Sequence, residues 1–207
     1  MSLRSLLAGA ARDRPAERSL RLVSGLLIFG TSLALLIKAD LGLDPWNVFA
    51  QGVSHRTGLT IGTVTILTSL LLLLLWIPLR QRLGIGTFAN ALLVGAVIDA
   101  GLVVLPPPDG IGVQVAYLVV AVLGSGVGSG LYIGAGWGPG ARDGIMTGLA
   151  ARGVPLSAAR AAIELSALLI GWLLGGSVGI GTIVFALAIG PLVGLLLPRL
   201  RIRPTRG

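Results

Sequence analysis

The chain has 207 residues, 54% of them hydrophobic and 12% charged, with a formal net charge of +8 and a mean hydropathy of +0.93. A water-soluble domain of this length needs far more charge to cover its surface, so that class is excluded. With no cysteine there is no disulfide, thiol nucleophile or thiolate metal site, and one isolated histidine argues against zinc. We expect no metal, no cofactor and no enzymatic activity.

In chain order, a basic segment (1–19) precedes the first of six apolar runs of span length, roughly Leu20–Ile37, Leu59–Pro78, Ile85–Leu105, Gly112–Ile133, Leu156–Leu174 and Ile180–Leu197. The first has a long flank containing acids and no clear small-residue cleavage site, so it reads as a retained helix and not a signal peptide. A basic tail (199–207) follows the sixth. With the N-terminus inside, 14 of the 16 Lys and Arg residues fall on the cytoplasmic side, leaving Lys38 and Arg56 outside. That asymmetry supports six spans with both termini cytoplasmic. The arginines collect at span ends and termini, which accounts for the high pI without a nucleic-acid partner.

Two polar connectors interrupt the apolar pattern. In the first, LGLDPWNVFAQGVSHRTG, Asp44 is placed to cap a helix whose first residue is Pro45. Trp46, Phe49, Ala50 and Val53 then share one face, and Asn47, Gln51, Ser54 and His55 the other. In the second, GWGPGARDGIMTGLAARG, Pro139 marks the start and Asp143 stands at the place of Asn47. Two readings are open: surface helices anchored by Trp46 and Trp137, or discontinuous helices entering the protein with their positive N-termini toward a ligand.

Slid onto itself by 95 residues, the chain aligns Gly84-Ile85-Gly86-Thr87 with Gly179-Ile180-Gly181-Thr182, and Gly95 with Gly190. Upstream the offset is 96, pairing Gly30 with Gly126, Gly42 with Gly138, Gly52 with Gly148 and Arg56 with Arg152. The series reads as a duplication, residues 20–105 and 112–198. Three spans per copy turn the second copy over. The expected fold is therefore all-α: six transmembrane helices in two inverted three-helix repeats, each with a short connector helix after its first span.

Among the remaining polar residues, Arg160 and Glu164 lie four apart and read first as a local ion pair. Asp99, deep in the third span, has no sequence-local partner. Asn90 reads as an interhelical hydrogen bond, and Arg56 and Arg152 as basic helix C-caps. The run GSGVGSG (124–130) offers small residues four apart, able to join the two repeats or the two protomers of a homodimer.

The stretches LGLDPWNVFAQGVSHRTGLTIGTV, GPGARDGIMTGL and GWLLGGSVGIGTIVFALAIGP together resemble the YczE-like family, loosely grouped with YitT-type proteins, over about Leu20 to Leu197. The resemblance implies a bacterial inner-membrane protein and brings no substrate with it. It also implies an acid in the first connector where this chain has Asn47, which leaves Asp143 to supply one.

The expected function is that of a small secondary transporter or exporter of an anionic or zwitterionic solute, embedded in the lipid bilayer. Asn47, Gln51, Asp143, Thr147, Lys38 and Arg142 are the expected solute-binding residues, with Asp143, Asp99 and Glu164 as coupling candidates. The alternative is a non-transporting scaffold or regulatory subunit of another membrane complex.

Overall fold

A computed structural model describes residues 14–81 and 83–202; Arg4, Arg12, Arg82, Arg203 and Arg206, counted above for orientation, lie outside the described residues. The described chain forms eight helices and no strand: α1 (Pro15–Ala39), α2 (Pro45–Thr57), α3 (Ile61–Leu79), α4 (Ile85–Val104), α5 (Gly110–Gly134), α6 (Ala141–Ala150), α7 (Leu156–Leu173) and α8 (Ile180–Leu200). Six of them, α1, α3, α4, α5, α7 and α8, are long and apolar enough to cross a membrane. At 1.5 Å per residue, α2 and α6 reach only about 20 and 15 Å, short of the ~30 Å hydrocarbon core. The protein is an all-α, multi-pass membrane protein.

Local chemistry sets the helix ends. Asp44 is the N-cap of α2, its carboxylate accepting from the backbone N–H groups of Trp46 (3.2 Å) and Asn47 (3.4 Å), with Pro45 at the first position. Gly58 ends α2 at φ 75°, where a side chain would be strained. Thr60 caps α3 through Thr63 N–H. Helix α1 starts at Pro15, earlier than the hydropathy suggests, because a proline at the first position and Glu17 in the first turn favour a helix start there. Helix α6 starts at Ala141, two residues after Pro139, with Gly140 as its N-cap residue.

Helices α1 and α5 form the centre. Close approach explains the glycine run: a Cβ on Gly128 would come within 2.7 Å of Phe29 N, and one on Gly25 within 2.7 Å of Tyr132 N. Gly124 abuts Ser32 of α1, and Gly126 and Gly130 abut Leu192 and Leu200 of α8. The glycine row is thus taken up within the chain. Around this pair, α4 packs on α1 and α8 on α5, while α2 lies against α7 and α3, and α6 against α3 and α7.

The two GIGT stretches are sockets. Gly86 N–H donates to Trp137 O at 2.9 Å, and Gly181 N–H donates to Leu41 O at 2.7 Å. Each socket therefore holds the loop that leads into a connector helix of the other half. Connector C-termini are tied down in parallel fashion. Arg152 donates to Pro78 O (2.5 Å) and Leu79 O (3.4 Å), and Arg56 to Leu174 O (3.4 Å). The two arginines thus cap α3 and α7, and are not confined to capping their own helices, because those C-termini end beside them.

Candidate functional site

Both connector helices are buried at their N-termini and exposed at their C-termini. Asp44 and Asn47 are buried, whereas His55, Arg56 and Thr57 are exposed. The N-termini of α2 and α6 meet at one cavity of about 210 Å³, to whose wall all eight helices contribute. Its lining holds the charged residues Asp44, Arg142, Asp143, Arg160 and Glu164. It also holds the apolar residues Phe29, Leu33, Val94, Phe185, Ile189 and Val193, and Thr65, Ser69, Asn90, Ser129 and Tyr132 add neutral polar groups. A mostly apolar hollow with a few convergent polar groups is the usual form of a small-molecule site.

The Arg142 guanidinium lies over the Trp46 ring, 4.7 Å from its centroid. It feels the attraction of Asp44, Asp143 and Glu164, yet among the described residues it makes no hydrogen bond or ion pair. Asp143 reaches back so that one oxygen accepts from Gly140 N–H at 3.2 Å. Arg160 and Glu164 form the expected local pair at 3.0 Å, and both also line the cavity. Three carboxylates face two guanidiniums, leaving one negative charge unbalanced. Asp143 lies outside the six spans. Burial pushes its carboxyl upward, against the Gly140 N–H and the charges of Arg142 and Arg160, which pull it down.

Of the residues singled out from sequence, the structure brings Arg142, Asp143 and Glu164 into the cavity. Asn47 is not part of the lining and is fully buried; its side-chain N–H₂ donates to Asp44, and its side-chain oxygen has no partner among the described residues. Gln51 braces a loop, accepting from Ser177 N–H at 2.6 Å. Thr147 donates to Gln81 Oε1 at 3.3 Å and is likewise outside the wall. Lys38 is in the last turn of α1, away from the cavity. Asp99 fixes the start of α3, accepting from Thr60 Oγ1 (2.5 Å) and Gly62 N–H (2.7 Å). Asp44, Trp46, Asn90, Arg160, Thr65 and Ser69 join the site without having been read as site residues. One signal was available: Thr65 and Ser69 stand 95 residues before Arg160 and Glu164.

The cavity wall is closed on one side and open on the other. Helices α3 and α4 are in contact, with a Cβ on Gly62 placed 2.1 Å from Gly95 O. Among the described residues α7 and α8 have no comparable packing. Gly190, 95 residues beyond Gly95, lines the cavity, and a Cβ there would meet nothing within 4 Å.

The chain belongs to a family of unknown function (DUF6198), which it matches over residues 16–198. It is 35% identical over 177 residues to an uncharacterized protein of Haemophilus influenzae, covering 85% of this chain and 81% of that one. It is 32% identical over 176 residues to the uncharacterized membrane protein YczE of Bacillus subtilis, covering 84% and 81%. No solved structure matches the chain.

Proposed function

We propose that the protein is a small secondary transporter of the bacterial cytoplasmic membrane, carrying a small charge-bearing solute through the central cavity by alternating access of two inverted repeats. Both termini lie in the cytoplasm, as the basic residues favour, and no covalent chemistry is performed. The observation that carries the reading is the contrast between Gly95, pressed against α3, and Gly190, open to the cavity. An alternating-access protein rests with one half closed and the other open, and reverses by exchanging the two conformations.

Packing supports the duplication. Exchanging first-half for second-half helices turns α1–α4 into α5–α8, α2–α7 into α6–α3 and α2–α3 into α6–α7. The helix starts of α3 and α7, and of α4 and α8, are each 95 residues apart. The one strong departure is the closed α3–α4 pair. A scaffold role would draw on glycine-lined outer faces, and the main glycine row is instead internal.

The chain has no native cysteine, so a test is direct. Ser157 and Gly190 are the counterparts, 95 residues on, of the touching Gly62 and Gly95. With Ser157→Cys and Gly190→Cys in one chain, oxidation in native membranes is expected to yield an intramolecular disulfide as α7 closes on α8. If no cross-link forms over a range of pH, the gap is fixed and the cavity is a static pocket.

A further inference from the structure

We propose that the cavity receives an amino-acid-like zwitterion with an apolar side chain, its carboxylate held by Arg142 and the N-terminus of α6 and its ammonium by Asp143. Binding stands independently of the transporter reading; only the movement of the bound solute across the membrane rests on it.

The two connector helices differ at one decisive place. In α2 the Asp44 carboxylate accepts from the first-turn N–H groups of Trp46 and Asn47. The equivalent residue of α6, 96 positions on, is Gly140, which has no side chain to do so. Of the counterparts of Trp46 and Asn47, Asp143 donates its N–H to Gly140 O at 3.1 Å, whereas the N–H of Arg142, like that of Ala141, has no partner among the described residues. A helix start buried without acceptors is unfavourable, and its partial positive charge invites an anion. A ligand carboxylate here would do for α6 what Asp44 does for α2. A Cβ built on Gly140 marks the place: it would lie 3.2 Å from Asp143 Oδ2, the oxygen that accepts from Gly140 N–H, 3.5 Å from Asn90 Oδ1 and 3.6 Å from the Tyr132 hydroxyl, of which only the hydroxyl is a donor for a carboxylate.

Arg142 is the second, independent observation. Its side chain lines the cavity, its five N–H donors make no hydrogen bond among the described residues, and its Cζ lies over the Trp46 ring, 4.7 Å from the centroid. A guanidinium with its donors unused can bind a carboxylate through a pair of them. A simple anion leaves the site badly balanced, because three carboxylates already face two guanidiniums. The positive end of a zwitterion offsets the ligand's own carboxylate, so that binding adds no further negative charge to the site. Asp143 follows Arg142 directly, lines the same cavity, and has one oxygen free of hydrogen bonds among the described residues. Phe29, Leu33, Val94, Phe185 and Ile189 of the same lining would suit an apolar side chain on the ligand.

Binding of alanine, valine, leucine and phenylalanine to the purified protein in lipid nanodiscs tests this by equilibrium titration. We expect at least one to bind. Its carboxamide, lacking the carboxylate, and its deaminated acid, lacking the ammonium, should each bind at least about tenfold more weakly. Arg142→Gln should cause a loss of similar size, and Arg142→Lys a smaller one. If none of the four binds, or if either singly charged analogue binds as well as the parent, the proposal is overturned. The Ser157–Gly190 cross-link separates the two failures. Cross-linking without zwitterion binding refutes the ligand class alone; zwitterion binding without cross-linking refutes transport alone.

Discussion

The two GIGT sockets allow the packing to be tested with the smallest possible change, one methyl group. A Cβ on Gly84 would sit 2.1 Å from Trp137 O, and one on Gly179 would sit 2.5 Å from Leu41 O. Ordinary contact begins near 3.4 Å, so alanine forces the facing backbone to move by about 1.3 Å or 0.9 Å. Neither neighbour is a flexible side-chain tip. Overpacking of this kind costs about 1–3 kcal/mol, and stretching Gly86 N–H to Trp137 O, or Gly181 N–H to Leu41 O, costs about 1 kcal/mol more. A total of roughly 2–4 kcal/mol corresponds to a fall in melting temperature of about 4–16 °C for a chain of this size. Gly194→Ala is the control, because a Cβ there meets nothing within 4 Å and the residue lies inside α8. It should leave stability unchanged or slightly raised, since alanine is the better helix former. Thermal unfolding in mild detergent, followed by loss of the monodisperse chromatographic peak, gives all three values. If Gly84→Ala and Gly179→Ala melt with the control, the loops do not seat in the sockets as described. The order matters as well: Gly84→Ala, with the closer approach, should be the more damaging.

Three further outcomes rest on individual contacts. Arg152→Ala should lower the melting temperature more than Arg56→Ala, because Arg152 reaches Pro78 O, Leu79 O and Gly148 O whereas Arg56 makes one long bond to Leu174 O; equal losses would contradict the capping geometry. Asp99→Ala removes the acceptor for Thr60 Oγ1 and Gly62 N–H, at a cost of about 1–3 kcal/mol to the closed α3–α4 pair; if that pair closes in exchange for α7–α8, the Ser157–Gly190 cross-link should form about tenfold faster or more, and an unchanged rate separates Asp99 from the conformational change. The folded-state pKa of Asp143 is raised by burial, so its ionisation becomes a cost as pH rises through that value; the stability of Asp143→Asn relative to the native chain should therefore grow from acid toward neutral pH, read as the difference between melting temperatures, and a constant difference would refute the shift.

The spans were legible because length and hydropathy in a membrane leave little choice, and Asp44–Pro45 was legible because cap chemistry is local. The role of Gln51 and Thr147 was not. A polar face on a short helix shows that something polar lies opposite, and here it is the backbone of Ser177 and the side chain of Gln81, not a solute. Asp99 lacked a partner in sequence because its partners, Thr60 and Gly62, are 39 and 37 residues away. Thr65 escaped notice because a hydroxyl inside a membrane helix satisfies itself on the preceding turn, here on Ile61 O at 2.9 Å. Arg160 and Glu164 do pair as their spacing suggests, but the pairing conceals that both face a cavity lined from distant parts of the chain.

Under the proposed duplication, the backbone of the two halves is matched and the chemistry is not. Asp44 answers to Gly140, Trp46 to Arg142, Thr65 and Ser69 to Arg160 and Glu164, and Asp99 to Gly194. Two identical copies facing each other would place the same groups on both sides of the cavity, and such a site has no preferred direction along which to hold a dipole. A zwitterion has no two-fold axis. Orienting one requires that a carboxylate be supplied by the protein at one helix start and withheld at the other, which is the difference between Asp44 and Gly140. Restoring the missing group tests this reasoning at its root. Gly140→Asp needs only a small shift for its first atom, since a Cβ there comes to 3.2 Å from the Asp143 carboxylate, a side-chain end that has to give by about 0.2 Å. The added carboxylate would cap α6 as Asp44 caps α2, raising stability by about 1 kcal/mol while occupying the place of the ligand's own. Increased stability together with lost amino-acid binding is the expected result. Retained binding would mean that the start of α6 is not where the carboxylate goes.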